Sequence, residues 1–283
     1  MKDYTDLINS INDFPTLPTI YNSLLVTLQN PRSTIQDIAN VISNDQVVVL
    51  KILKVTNSSL YGFNKKIDTI TDAIFLLGQN EIKNIVLALS VMKIFSQIKS
   101  ISNFNVTDLW KHSIAVGVIA KSLGELSGTM NTENLFVSGI IHDFGKLFFL
   151  KVAREEYLEI INNAIENKIS LSSSEKLHFG INHDIIGGLL AKKWQLPNNI
   201  IESINFHNSK KLSFTNNKQI ACIQLANIIA NMLNLGNPGY EIIDQPSFDI
   251  WSILNLPPGS LVNMHSSILE QYYQSVQILS LSK

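Results

Sequence analysis

Gly139-Ile140-Ile141-His142-Asp143-Phe144-Gly145-Lys146, with Trp110-Lys111-His112 thirty residues before its histidine, is the stretch around which the rest of the chain organises. His112 lies one turn after Leu109 and one before Val116, inside a long helical pattern over Thr107–Leu126. His142 closes a second pattern, Thr132–His142. A neutral imidazole and the neighbouring carboxylate of Asp143 are both ligands for a divalent cation, and antiparallel packing of the two helices would bring all three side chains together. The doublet alone is weak evidence, since a second one, His183-Asp184, occurs among six histidines. Asp184 itself reads as a solvated helix residue.

Outward from this stretch, nearly every segment carries helical periodicity with start and stop signals. Pro18–Gln29, Ile35–Ile42 and Val47–Val55 come first. Ser33 with Gln36 reads as a capping box for the second of these, and Asp45 as the cap of the third. The β-branched run Val47-Val48-Val49 is outweighed by its helical flanks. Thr69 with Asp72 opens a short helix that Gly78 ends, and Asn80 starts another through Met92. Beyond a polar joint at 99–105 follow Arg154–Asn167, Ser174–Phe179, Asn182–Trp194 and Pro197–His207. A polar loop at 208–217 precedes Lys218–Leu235. Phe248–Leu254 and a last helix after Pro257-Pro258 complete the chain. The fold class is all-α, with two helical lobes joined near residue 100. The final helix carries Leu261, Met264, Ile268, Leu269, Tyr272 and Val276 on one stripe, which suits packing on the preceding lobe or, alternatively, a homodimer.

With 283 residues the chain is long enough for an ample core, and at 45% hydrophobic and 16% charged its burial should be high. A net charge of −1, only two arginines (Arg32 and Arg154) and no basic stripe argue against a nucleic-acid groove. No apolar run approaches the ~18 residues that span a bilayer, and Met1–Ser10 lacks a signal-peptide core, so a cytoplasmic protein with no membrane contact is expected. Cys222 has no partner for an internal disulfide and reads as core packing. Trp110, Trp194 and Trp251 read as core anchors, and His178 and His265 as surface or capping residues.

Taken in order, Phe14-Pro15-Thr16-Leu17-Pro18, Ile42-Ser43-Asn44-Asp45, Asn57-Ser58-Ser59-Leu60-Tyr61-Gly62 and Ala73-Ile74-Phe75-Leu76-Leu77-Gly78 resemble the N-terminal half of the HDOD domain family. Trp-x-His at 110–112, His-Asp-Phe-Gly-Lys at 142–146, Glu175 to Gly180, His183, Trp194-Gln195-Leu196-Pro197 and His207 resemble its C-terminal half. The resemblance covers residues 10–235, as an N-terminal helical lobe (10–100) and an HD-like lobe (101–235). Residues 236–283 would be a C-terminal helical extension packed on the HD-like lobe.

The resemblance implies an all-helical relative of the HD phosphohydrolases that works in bacterial signalling, with motility or chemotaxis control as one setting. It also implies a metal site at His112, His142, Asp143 and a late carboxylate, where this chain has Asn227. An amide brings no negative charge to a cation. At Phe206-His207-Asn208, hydrolytic HD-GYP relatives carry two adjacent histidines, and here Asn208 replaces the second. Lys146 would be the charge clamp of a surviving hydrolase, and His183 and His207 are candidate ligand-binding residues. Two readings stay open for His112, His142 and Asp143: a buried hydrogen-bonded remnant, or a site holding a divalent transition metal. The expected function is non-enzymatic regulation through a signalling-protein partner or a small ligand, a phosphorylated one among the candidates. The alternative is a metal-dependent phosphodiesterase acting on a nucleotide or cyclic dinucleotide.

Overall fold

Short polar side chains take up the free amides of the first helical turns, and this sets where the elements begin. The protein is described by a computed structural model over residues 4–129, 132–209, 217–240, 242–243 and 245–280. After α1 (Tyr4–Ser10) and one 3-10 turn come α2 (Thr19–Gln29), α3 (Ile35–Ser43) and α4 (Gln46–Thr56). The capping box of α3 lies one residue later than the sequence suggests. Thr34 accepts from the Asp37 amide and Asp37 answers at the Thr34 amide. The Ser33 amide is still held in the preceding turn by the Asn30 carbonyl. Asp45 accepts from the Val47 and Val48 amides, so the valine run is helical. Thr69 caps α5 (Ile70–Leu77), and Gly78, at φ +82°, hands the chain to α6 (Gln79–Phe95).

The second half runs α7 (Val106–Leu126), α8 (Glu133–Ile141), α9 (Phe144–Val152), α10 (Arg154–Asn167), α11 (Leu171–Phe179), α12 (His183–Lys193), α13 (Asn198–Phe206) and α14 (Asn217–Met232). α15 (Phe248–Leu254) and α16 (Ser260–Ile278) follow. Helix α9 has no counterpart in the sequence periodicity. It is apolar around most of its circumference, with Phe144, Leu147, Phe148, Phe149 and Leu150 all buried. Among the described residues there is no strand, only an isolated bridge between Ile101 and Phe104 at the polar joint. Most of the polar loop expected at 208–217 lies outside the described residues.

Helices α2 to α6 pack on one another, and α7 is the central member of the rest, touching α6, α8, α14 and α16. Two glycines fix how closely these helices meet. A Cβ on Gly139 of α8 would fall 2.4 Å from the Gly117 nitrogen of α7. One on Gly145 of α9 would fall 2.0 Å from the carbonyl oxygen of His183, which opens α12. Backbones approach so closely only where no side chain intervenes. The two glycines flank His142-Asp143 and hold the doublet against α7 on one side and α12 on the other.

Helix α16 buries Met264, Ile268 and Tyr272 and lies on α7, but it also reaches α4. The Gln274 side chain accepts from the Ser59 amide, and the Trp110 indole donates to the Leu279 carbonyl. Trp110 and Trp194 are buried, and Cys222 is in the core. Trp251 departs from the core role expected of it, being 39% exposed on the short helix α15. No single helix among the described residues is long and apolar enough to cross a membrane.

Candidate metal centre

Six helices deliver side chains to one buried cluster. His112 comes from the middle of α7, His142 from the end of α8, and Asp143 from the junction with α9, whose first turn carries Lys146. His183 and Asp184 open α12, His207 follows α13, and Asn227 lies in α14. His112, His142, Asp143, Lys146 and His183 are each at most 1% exposed.

Acceptors on the far side of the rings decide which nitrogen faces inward. His142 Nδ1 donates to the Gly139 carbonyl at 2.7 Å, and His207 Nδ1 to the Ile204 carbonyl at 2.7 Å. His183 Nδ1 donates to Glu175 at 2.6 Å, a carboxylate itself held by the Tyr157 hydroxyl at 2.7 Å. Each ring therefore turns Nε2 toward Asp143, the arrangement in which outer hydrogen bonds orient histidine ligands. His183 and His207 Nε2 lie 3.3 and 3.4 Å from Asp143 Oδ1, and His142 Nε2 lies 3.4 Å from Oδ2. His142 Nε2 is buried with no hydrogen-bond partner. Two ligand groups thus share Asp143: His112 and His142 with it on one side, His183 and His207 on the other. Lys146 donates to Asp143, and the Asn208 amide nitrogen lies 2.9 Å from His207 Nε2 and 3.3 Å from His183 Nε2, so an ion would have to displace these donors. Imidazoles gathered about one carboxylate are nevertheless a ligand set that suits a divalent transition metal. The residues fit such an ion, which would act as a Lewis acid toward whatever reached it.

The structure changes one residue reading and gives the surroundings of the other candidates. Asp184 is not solvated: it is 5% exposed, and its Oδ1 lies 3.1 Å from His183 Nε2 and 3.4 Å from His207 Nε2. The Lys146 ammonium donates to Asp143 Oδ2 and to the Pro238 carbonyl, each at 2.9 Å, which is the pairing expected of a buried hydrogen-bonded network. His183 and His207, the candidate ligand-binding residues, converge with Asp143 as a group that could hold a metal ion. Asn227 stands where the late carboxylate would, its Oδ1 accepting from His112 Nε2 at 2.9 Å.

Charge is strongly organised here. Burial opposes ionisation of Asp143, yet His142 and Lys146 outweigh it and hold the carboxyl well below its usual range. Burial also opposes a charged His183, but Glu175 and Asp184 raise it well above an ordinary imidazole. His112 goes the other way: burial, reinforced by His142, pushes it down to about 3. The unfolded chain gains this proton near pH 6.5 and the folded chain only near 3, so the stabilisation is complete above 6.5 and drains on acidification. The slope for one such group is about 1.4 kcal/mol per pH unit. In chelator, urea-unfolding midpoints are expected to fall between pH 6.5 and 5, and less steeply in His112→Gln. Equal slopes in the two proteins would contradict a neutral buried His112.

A cavity of about 390 Å³ opens beside the cluster, lined by His207, Asn208, Gln224, Asn227 and Asn231 with Ile228, Ile242, Ile243 and Ile250. Among the described lining residues there is no lysine or arginine. Asn208 was visible in the sequence as a departure. The buried participation of Asp184 and Glu175 was not, although Glu175 lies within a family-like stretch.

The HDOD domain matches residues 14–210, a narrower span than the 10–235 expected from sequence. An uncharacterised protein of Treponema pallidum (strain Nichols) is 24% identical over 249 residues, 87% of this chain and 48% of that protein. The chain spans about half the length of the curated relative it matches. An HDOD domain protein of unknown function from Geobacter sulfurreducens superposes with a TM-score of 0.81 at 24% identity, covering 97% of this chain and 96% of that one. A candidate metal-dependent phosphohydrolase from Shewanella amazonensis SB2B gives 0.74 at 22% identity, with 98% of both chains covered. A candidate signal transduction protein from Marinobacter aquaeolei VT8 gives 0.74 at 16% identity, over 99% of this chain and 61% of that one. These superpositions establish a shared all-helical fold. The match over 14–210 spans well over half of the sequence, and the chain belongs to the HDOD domain family.

Proposed function

We propose that the protein is a regulatory signalling module that binds a small ligand or a protein partner and does not hydrolyse phosphoesters. One observation carries this reading. The cavity meets the buried cluster through His207 and the neutral amides of Asn208 and Asn227, while Asp143 and Lys146 lie behind them. Phosphoester hydrolysis needs a metal-activated water beside the phosphoryl group and positive charge on its oxygens. The described cavity wall offers side-chain amides, the His207 imidazole, two serines and isoleucines, a surface suited to an uncharged polar ligand.

Untagged protein assayed with cyclic dinucleotides and bis(p-nitrophenyl) phosphate, with manganese, ferrous iron or magnesium, is expected to show no turnover above buffer. Turnover that disappears in His142→Ala would establish the second reading, a metal-dependent phosphodiesterase. That reading is favoured by the sharing of Asp143 between two ligand groups, as in two-metal hydrolytic centres.

A further inference from the structure

We infer that the cavity beside the cluster binds an uncharged polyol, a sugar or cyclitol. Its hydroxyls donate to Asn208 and Gln224 and accept from Asn227, one turn further along α14. This ligand class rests on the reading of the protein as a binding module without turnover. It follows from the hydrogen bonds that each amide of the wall already makes on its far side.

A carboxamide carries two N–H donors and one carbonyl oxygen, and bonds behind the wall decide which of them a ligand meets. The Asn208 nitrogen turns into the cluster, with Asp184 Oδ1 at 3.0 Å, His207 Nε2 at 2.9 Å and His183 Nε2 at 3.3 Å. Both its protons are engaged there, and Oδ1 is left. The Gln224 nitrogen donates to the Phe206 and Ser209 carbonyls, both at 2.8 Å. Only Oε1 remains on this side chain, which is 6% exposed. Asn227 is the reverse. Its Oδ1 already accepts from His112 Nε2 at 2.9 Å and from Asn231 Nδ2 at 3.1 Å, which leaves its two N–H donors. Asn231 keeps its oxygen and one proton, and all four side chains line the cavity.

Fixed acceptors beside a fixed donor select by polarity. An anion has no proton for Asn208 or Gln224, and the described lining residues include no lysine or arginine to offset its desolvation. An ammonium group has protons but accepts nothing from Asn227, and no carboxylate is among those residues either. A hydroxyl both donates and accepts, so neighbouring hydroxyls on one ring satisfy Asn208, Gln224 and Asn227 together. The apolar part of the wall fits the same ligand. Ile228 and Ile250, with Ile242 and Ile243 at 46% and 52% exposed, can lie against the C–H faces of a sugar or cyclitol. A flat heterocycle is less well served, because the described lining residues include no phenylalanine, tyrosine, tryptophan or arginine on which to stack.

The test is titration calorimetry on the full chain in chelator, with glucose and myo-inositol against glucose 6-phosphate, inositol monophosphate and protonated glucosamine. Millimolar probe concentrations stay below those at which polyols stabilise proteins by exclusion from the surface. At least one neutral polyol is expected to bind one equivalent, and its charged derivatives at least 10-fold more weakly. Gln224→Met and Asn231→Leu should each weaken the polyol about 10-fold, and the second tests the site even if the first fails to fold. Asn227→Asp replaces the fixed donor by an acceptor and should reverse the order, so that glucosamine binds more tightly than glucose. Phosphate esters that bind as tightly as their parents, an unchanged order in Asn227→Asp, or no binding of either neutral polyol would overturn the assignment. Phosphoester turnover is a separate readout. Turnover would overturn the regulatory reading, whereas absence of both turnover and polyol binding overturns the ligand class alone.

Discussion

Gly145→Ala is expected to melt roughly 6–12 °C below the wild type and to bind metal poorly. The added methyl carbon would sit 2.0 Å from the His183 carbonyl oxygen and 2.8 Å from its carbon. Both are backbone atoms, so no rotamer change relieves the contact, and α9 has to move away from the start of α12. Overpacking of this kind costs about 3 kcal/mol or somewhat more, at the upper end for a single methyl group. The displacement runs directly between Asp143 and His183, so stability and metal affinity should fall together. Calorimetry with metal analysis of the same samples checks this. A melting point within 2 °C of wild type, with full metal content, would show that the two helices separate without cost.

Lys146→Met should make the fold depend on a bound cation. Removing the ammonium leaves the buried Asp143 carboxylate without its partner at 2.9 Å and the Pro238 carbonyl without a donor. Breaking a buried pair in this way costs about 3–5 kcal/mol. A divalent ion on Asp143 supplies the missing charge, and its binding stabilises the folded state in proportion to the logarithm of its concentration over Kd. Chelator is therefore expected to lower the melting point of Lys146→Met by several degrees more than that of the wild type. Equal losses in the two proteins would mean that Lys146 does not balance Asp143.

Much of the fold is legible because it is written locally. Asp45, Thr69 and the amphipathic stripes of α2, α3 and α16 carry the physics of capping and one-sided burial in a few consecutive residues. Helix α9 is missed because a helix buried on nearly all sides has no wet face to give it a period. The His142-Asp143 doublet and His112 are found because their surroundings are apolar and their spacing suits two packed helices. Asp184 is misread for the opposite reason: a carboxylate in a first helical turn usually faces water. Only the convergence of α9, α12 and α13 reveals that this one does not. The pairing of Lys146 with Asp143 is legible because the two lie one helical turn apart, whereas its second acceptor, the Pro238 carbonyl, lies 92 residues further along.

Helix α16 also says something about the order of events as the protein forms. Its bonds to Ser59 and Trp110 join residues 215 and 169 positions apart. Closing loops of that length costs chain entropy that only an already ordered framework can offset, so neighbouring helix pairs assemble before it. Until the last helix docks, one flank of α7 and the end of α4 stay bare, and a half-built molecule presents them as sticky surface. Docking of α16 is then the late step that turns an assembled pair of helical groups into a closed, aggregation-resistant whole.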